Sequence, residues 1–403
     1  GYVRFSFASV LFTLILILIF GRALRRQRLY TLADLFGQRY GATVGIIPSL
    51  LSAVVYAIPT TAMQYIAMST IWTVVFGMDL TPALILSAVL VLAFTILGGL
   101  PGTIITDALQ SILIIAGITI LAASCVSFAG GAGRLIEMTP PEFLSLSGPY
   151  GASEVFLFFL SVGPFYLVWQ SSWQRIFAAK SESVSLRANT LGVVICAFIL
   201  FCPIVIGLAC RQFLPLDTPP DLIFSTVTLK LLSPQVGGLI YCALLAALVT
   251  GADSFILQGS SNLTHDFYRR LINPGATNRQ MMFVSRLTVA IIALAALFVA
   301  FKFTGIIAIY QWALRLTATT LILPFLATML WKRTTRTGVL WSMGAGLVST
   351  LIWPYLGTGV DQTLAGFAFS AAGLILGTVF SGHHPEEHAV AVLYEDLPTA
   401  QRN

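Results

Sequence analysis

The sequence predicts an all-α, polytopic membrane protein, and three observations carry that expectation. Of its 403 residues, 57% are hydrophobic and only 9% charged, against roughly 25% charged in soluble domains. The mean hydropathy is +0.89. The apolar residues gather in eleven runs, near 3–21, 43–76, 82–99, 103–128, 153–173, 187–210, 235–262, 284–302, 306–331, 337–356 and 363–381. Most reach or approach the ~20 residues that carry a helix through hydrocarbon. Barrel strands would be about ten residues long and would alternate apolar with polar, so helices are the form that satisfies these backbones in lipid.

Taken in order, the elements carry local signals. After the first run, TLADLFGQRYG sets Thr31 ahead of an acidic first turn, which predicts an N-capped short surface helix. The second run is longer than one span needs, and Pro59 inside it predicts a kink. The third and fourth runs flank GGLPGTIITDALQ, and the fifth is interrupted by Gly163 and Pro164 within SVGPFYLVWQSSWQR. Between the sixth and seventh, DLIFSTVTLKLL follows PLDTPP and predicts a short external helix, because its polar spacing does not suit a span. Residues 1–381 form one transmembrane domain, and 382–403 a tail.

Charge placement orients the chain. If the helices alternate, one side receives Arg22, Arg25, Arg26, Arg28, Arg39, Arg175, Lys180, Arg187, Arg269, Arg270, Arg279, Arg286, Lys332, Arg333, Arg336 and Arg402. That is 16 of 22 basic residues; five lie opposite and Arg315 falls within a helix. The positive-inside rule puts Gly1 outside and the tail in the cytoplasm, as in a plasma-membrane protein. This asymmetry also accounts for the net charge of +6 without a nucleic-acid partner. The opening Gly, with no leader pattern, suggests the remainder of a longer protein.

Several enzyme patterns are missing. No HExxH or GxSxG occurs, and GGAGR lacks the Lys-Ser/Thr of a phosphate loop, so no catalytic residue is assigned. The five cysteines show no paired spacing and read as small core residues. His383, His384 and His388 crowd the tail without a second ligand group. Asn262-Leu263-Thr264 has a glycosylation pattern at the cytoplasmic end, where it is incidental.

The chemistry lies in polar residues inside the spans, where an ionisable side chain is by default a functional hypothesis. In LLAALVTGADSFILQGSSNLTHDFYRR, Ala247, Thr250, Gly251 and Ser254 fall at i, i+3, i+4 and i+7 on one helical face. Hydroxyls and approachable carbonyls there are the hard oxygen ligands a small alkali cation prefers; small-residue helix packing is the alternative. Packing does not require the carboxylate of Asp253. Asp107 either caps a helix start or lines an ion exit path. Arg315 is expected to pair with Asp253, or else to meet an anionic solute. Gln64, Tyr65, Gln170, Ser171, Gln311, Trp312, Thr317 and Thr319 are candidates for lining a polar cavity or for bridging helices. Trp169 and Trp173 could also be interfacial anchors.

These pieces together resemble the sodium/solute symporter family of sodium/proline, sodium/pantothenate and sodium/glucose transporters. The matching stretches, in the family's order, are TLADLFGQRYG, GGLPGTIITDALQ, WQRIFAAKSES, the segment from Leu244 to Arg270, and LWKRTTRTG. The resemblance implies a leucine-transporter-like core of two inverted five-helix repeats. The remainder of the first repeat would be 1–128, the second repeat 153–331 and peripheral helices 337–381, with core helix one absent. It implies sodium as coupling ion, held by the Ala247 carbonyl and the Thr250 hydroxyl. Gly251 stands where a second Ser or Thr is usual. Asp107 matches an acid associated with sodium transit, Gln170 and Ser171 fall where the solute cavity is lined, and Arg315 has no familiar counterpart.

The expected activity is therefore secondary transport, coupling sodium entry to uptake of a small organic solute, anionic if Arg315 is free of Asp253, by alternating access in the lipid bilayer. A membrane solute sensor with weak transport and a proton-coupled symporter are the alternatives. The sequence leaves oligomeric state open.

Overall fold

A computed structural model describes residues 2–27, 29–144, 151–215, 217–219, 222–302 and 306–382. Eleven helices among them are long and apolar enough to cross a membrane. They are α1 (Ser6–Gln27), α2 (Ala42–Phe76), α3 (Leu80–Gly98), α4 (Ile105–Phe128), α5 (Ala152–Ala178), α6 (Glu182–Cys210), α7 (Pro234–Ile272), α8 (Asn278–Lys302), α9 (Tyr310–Leu330), α10 (Arg336–Leu356) and α11 (Gln362–Phe380). Each coincides with one run expected from the sequence. The histidines of the tail lie outside the described residues.

The irregularities fall where backbone donors are missing or ligands crowd. In α2, a π-helical stretch at Leu51–Ala57 precedes the regular helix Ile58–Phe76, in which Pro59 occupies the first turn. The break thus sits before Pro59, where its absent N–H and ring are accommodated. Gly77, at φ 66°, closes α2, and α3 begins two residues after Met78. Trp72 donates to Ser87 at 3.1 Å across this hairpin. Helical backbone is continuous from Leu80 to Phe128, 49 residues, or about 73 Å if straight. That exceeds one bilayer twice over. α3 runs antiparallel to α2, while α2 and α4 both run antiparallel to α7, through Gln64–Gly251 and Ala57–Gly259 for α2 and Gln110–Thr250 and Gly117–Ala243 for α4.

The loop helix after α1 departs from expectation. Thr31 and Asp34 form the anticipated capping box, but Leu32–Tyr40 is buried rather than on the surface. Its last turn carries Arg39, which donates to the carbonyls of Thr328, Trp331 and Lys332 at the end of α9. A guanidinium there satisfies carbonyls that helix geometry leaves orphaned and meets the negative end of the α9 dipole. The short external helix is present as Ile223–Leu231. All five cysteines are free thiols; Cys125, Cys202 and Cys210 are buried, while Cys196 and Cys242 are exposed rather than in the core.

The most enclosed span is α9, 78% buried, against 50% or less for the others. Its Phe325 packs edge-on to Phe20 of α1 and Trp173 of α5. α10 and α11 close on one another through glycines: a Cβ on Gly377 would lie 2.8 Å from the Gly338 Cα. Lipid gives no hydrophobic drive between helices, so such close approach supplies the packing attraction.

Candidate ion and solute site

The face of α7 that bears Ala247, Thr250, Gly251 and Ser254 is half-buried and meets polar groups from three other helices. At about 100° per residue, Thr250 and Gly251 mark its two edges. On the Thr250 edge the hydroxyl donates to Oε1 of Gln110 in α4. On the Gly251 edge the carboxamide of Gln64, from α2, packs against the bare backbone; a Cβ on Gly251 would lie 3.1 Å from its Nε2. Between them, Ser254 Oγ accepts from Nη2 of Arg175 in α5 at 3.4 Å.

Two carboxylates adjoin this face. Asp107 Oδ2 is 3.6 Å from Arg175 Nη2, an ion pair half open to solvent. Arg175 also donates to the Ser171 hydroxyl and, at 3.3 Å, to the Ser171 carbonyl. Asp253 is 2% exposed. Oδ1 of Asp107 and Oδ1 of Asp253 are both buried without a hydrogen-bond partner. A buried carboxylate oxygen left so costs on the order of 1–3 kcal/mol. Asp107 is thus paired with a guanidinium while Asp253 has no cation partner among the described residues, and the site has anionic oxygen to spare for a cation.

α5 is broken as its Gly-Pro pair predicts. It comprises Ala152–Val162, Phe165–Val168 and Gln170–Ala178, with Trp169 extended between the last two. Trp173 is fully buried and its indole donates to the Leu167 carbonyl at 2.8 Å. It braces the break from within, so it is no interfacial anchor. Tyr166 stacks edge-on to Trp169 and lies 3.5 Å from the hydroxyl of Tyr310. Gln170 is buried and donates to Asn262 of α7, while its Oε1 lacks a partner. Asn262 in turn donates to the Ser49 carbonyl, which leaves its glycosylation pattern inaccessible.

A second charged cluster lies beneath the loop helix. Asp34 Oδ2 accepts from the backbone N–H of Tyr30 and Thr31, and Oδ1 from Arg270. Asp266 Oδ1 accepts from the Thr31 hydroxyl at 3.0 Å and Oδ2 from the Ser49 hydroxyl at 2.5 Å. Asp34, His265 and Asp266 stand close enough to share a metal ion. With Arg270 among them and every carboxylate oxygen already accepting, the cluster is a closed internal network.

The comparisons with known proteins match this arrangement. The model of the sodium:solute symporter family matches residues 1–346. The chain belongs to that family. The osmoregulated proline transporter of Bacillus subtilis is 24% identical over 368 residues, covering 87% of this chain and 74% of the relative. The sodium/pantothenate symporter of Haemophilus influenzae is 24% identical over 356 residues, 83% and 70% of the two chains. A solved structure of a Na+-coupled sialic acid symporter, substrate-bound and outward-open, superposes with a TM-score of 0.77 at 17% identity, over 94% of this chain and 82% of that one. The fold is therefore leucine-transporter-like, and the protein is a multi-pass sodium-coupled symporter of a small organic solute.

In this symporter, the expected pairing of Arg315 with Asp253 is not made. No ion pair or side-chain hydrogen bond of Arg315 occurs among the described residues, with Asp253 or otherwise. One turn along the same stripe, Thr319 meets the Thr350 hydroxyl of α10 at 2.8 Å and abuts Gly366 of α11; one turn back, Trp312 is exposed. Arg315 itself is half-buried. Thr319 bridges helices, Thr317 bonds within its own helix to Ala313, and Gln311 is half-buried. The cation that does meet an acid here is Arg175, paired with Asp107 and assigned from sequence only to a loop. Its i, i+4 spacing from Ser171 was the available signal. Gln110, within the quoted GGLPGTIITDALQ, was likewise legible as the i+3 neighbour of Asp107.

Proposed function

We propose that sodium binds on the α7 face between Ala247 and Ser254 and leaves along the Asp107–Asp253 edge, drawing a small organic solute inward by alternating access. The observation that carries this reading is the pair of buried, unpartnered carboxylate oxygens, Asp107 Oδ1 and Asp253 Oδ1, beside a hydroxyl-bearing face. Thr250 gives its proton to Gln110, which leaves its lone pairs directed elsewhere, as a hydroxyl that ligates a cation requires. The broken helix α5, with Tyr166, Trp169 and Ser171, is the candidate solute wall, since discontinuous helices border such sites. On this reading the two repeats are 1–128 and 153–331, and the positive-inside rule is the support for a cytoplasmic tail in a plasma-membrane protein. Arg315 makes no ion pair with Asp253 among the described residues, the condition under which an anionic solute is expected.

The test is uptake into proteoliposomes by the full-length protein under an inward sodium gradient. Proline, pantothenate and sialic acid serve as first probes because relatives carry them. Accumulation that needs sodium and falls on Thr250→Ala supports the reading; equal accumulation with potassium in its place overturns it. A second reading, proton coupling, is favoured by the two acids beside α7, of which Asp107 pairs with Arg175 and Asp253 has no cation partner among the described residues. Uptake driven by an inward pH gradient in sodium-free medium, lost in Asp253→Asn, would establish it.

A further inference from the structure

Gly251 lies where the family pattern places a second hydroxyl, so one oxygen ligand is missing from the α7 face. The structure shows what fills that position. Above Gly251 lies the end of the Gln64 side chain, with Nε2 3.1 Å, Cδ 3.3 Å and Oε1 3.7 Å from where a Cβ would stand. A serine or threonine there would press into the carboxamide. The glycine and the glutamine are therefore a matched pair across the α2–α7 seam.

Gln64 also bears a carboxamide whose atoms are not among the fully buried unpartnered ones, so its tip reaches accessible space. It is 9% exposed, yet no hydrogen bond of its side chain occurs among the described residues. One turn before it on the same α2 face, the Thr61 hydroxyl is buried and likewise without a partner. An amide carries two donors and an acceptor oxygen, and buried amides are normally bonded. Rotation about its terminal bond exchanges Oε1 with Nε2 at no change of shape, so the oxygen can present itself to the α7 face. On the opposite edge, Gln110 holds the Thr250 proton. The face is thus flanked by two glutamines with distinct tasks, one orienting a hydroxyl and one bearing a free oxygen.

We propose that the Gln64 carboxamide, seated in the space left by Gly251, ligates the coupling cation in place of a hydroxyl at position 251. Neutral amide oxygen is a suitable hard donor for an alkali ion. This inference rests on the sodium reading above and moves Gln64 from the solute cavity to the ion site.

The experiment measures sodium binding to the purified full-length protein, by saturation with radioactive sodium and by sodium-dependent thermal stabilisation, with no solute present. Gln64→Ala and the volume-conserving Gln64→Met should each weaken sodium binding about tenfold or more, the loss of one bond to a charged group. Gly251→Ser alone should also weaken it, because the new side chain collides with the amide. In the Gln64→Ala background, Gly251→Ser should restore much of the affinity, since the hydroxyl then has room. Wild-type affinity in both Gln64 variants, or a double variant no better than Gln64→Ala, overturns the proposal while leaving the sodium reading intact. A wild-type protein with no saturable sodium binding would sink the sodium reading itself, and this proposal with it.

Discussion

Two clusters of acids and arginine sit at different depths of this molecule, and they are finished to different degrees. Beneath the loop helix, Asp34 and Asp266 have all four carboxylate oxygens satisfied by Tyr30, Thr31, Ser49 and Arg270. Beside α7, Asp107 and Asp253 each keep one buried oxygen without a partner. Burial without hydrogen bonding is destabilising, and a site that retains it is kept open for something that arrives and leaves. The first cluster fastens α7 to α2 and the loop between α1 and α2. The second awaits a passenger. Saturation separates a joint from a binding site where residue composition does not.

Perturbing each cluster should therefore give opposite phenotypes, and the largest effect belongs to the closed one. Arg270→Ala leaves Asp34 buried without its guanidinium and should lower stability by about 3 kcal/mol, read as a drop in melting temperature that sodium does not repair. Asp107→Asn should do the reverse: folding retained, with sodium affinity in uptake assays down about tenfold. A variant that fails to fold would place Asp107 with the joints. Next in size is the hydroxyl. Thr250→Ala should weaken sodium activation several-fold while Thr250→Ser keeps it, a split that a purely packing role would not produce. Arg175→Gln removes the guanidinium paired with Asp107 and should alter the sodium dependence of uptake by a few-fold, with little change in melting temperature because the pair is half exposed. The smallest effect is expected from Arg315→Gln, with sodium affinity unchanged within experimental error. A marked loss there would return Arg315 to the ion site and blur the contrast between the two clusters.

How much of this was legible in the sequence depends on the range of the interaction. The Thr31–Asp34 capping box spans three residues and the break at Gly163-Pro164 is adjacent in the chain, so both could be read directly. Asp107 and Asp253 announced themselves because a carboxylate among apolar residues has few structural explanations. The guanidinium beside those acids was misassigned, because Arg315 is the conspicuous arginine in hydrocarbon while Arg175 looks like one more loop cation. Trp173 looked like an interfacial residue because it adjoins Gln174 and Arg175, but the turn at Trp169 carries it inward.

By itself, the sequence determined that eleven helices cross a membrane, where they break, and which face of α7 is rich in oxygen. Those properties follow from hydrocarbon thickness, backbone hydrogen bonding and helical period, all of which act within a segment. Only the tertiary structure decided that Arg175 reaches Asp107, that Arg315 does not pair with Asp253, that the loop helix is buried and that Gln64 rests on Gly251. Each of these depends on the rotation of one helix against another, which is set by packing between segments distant in the chain.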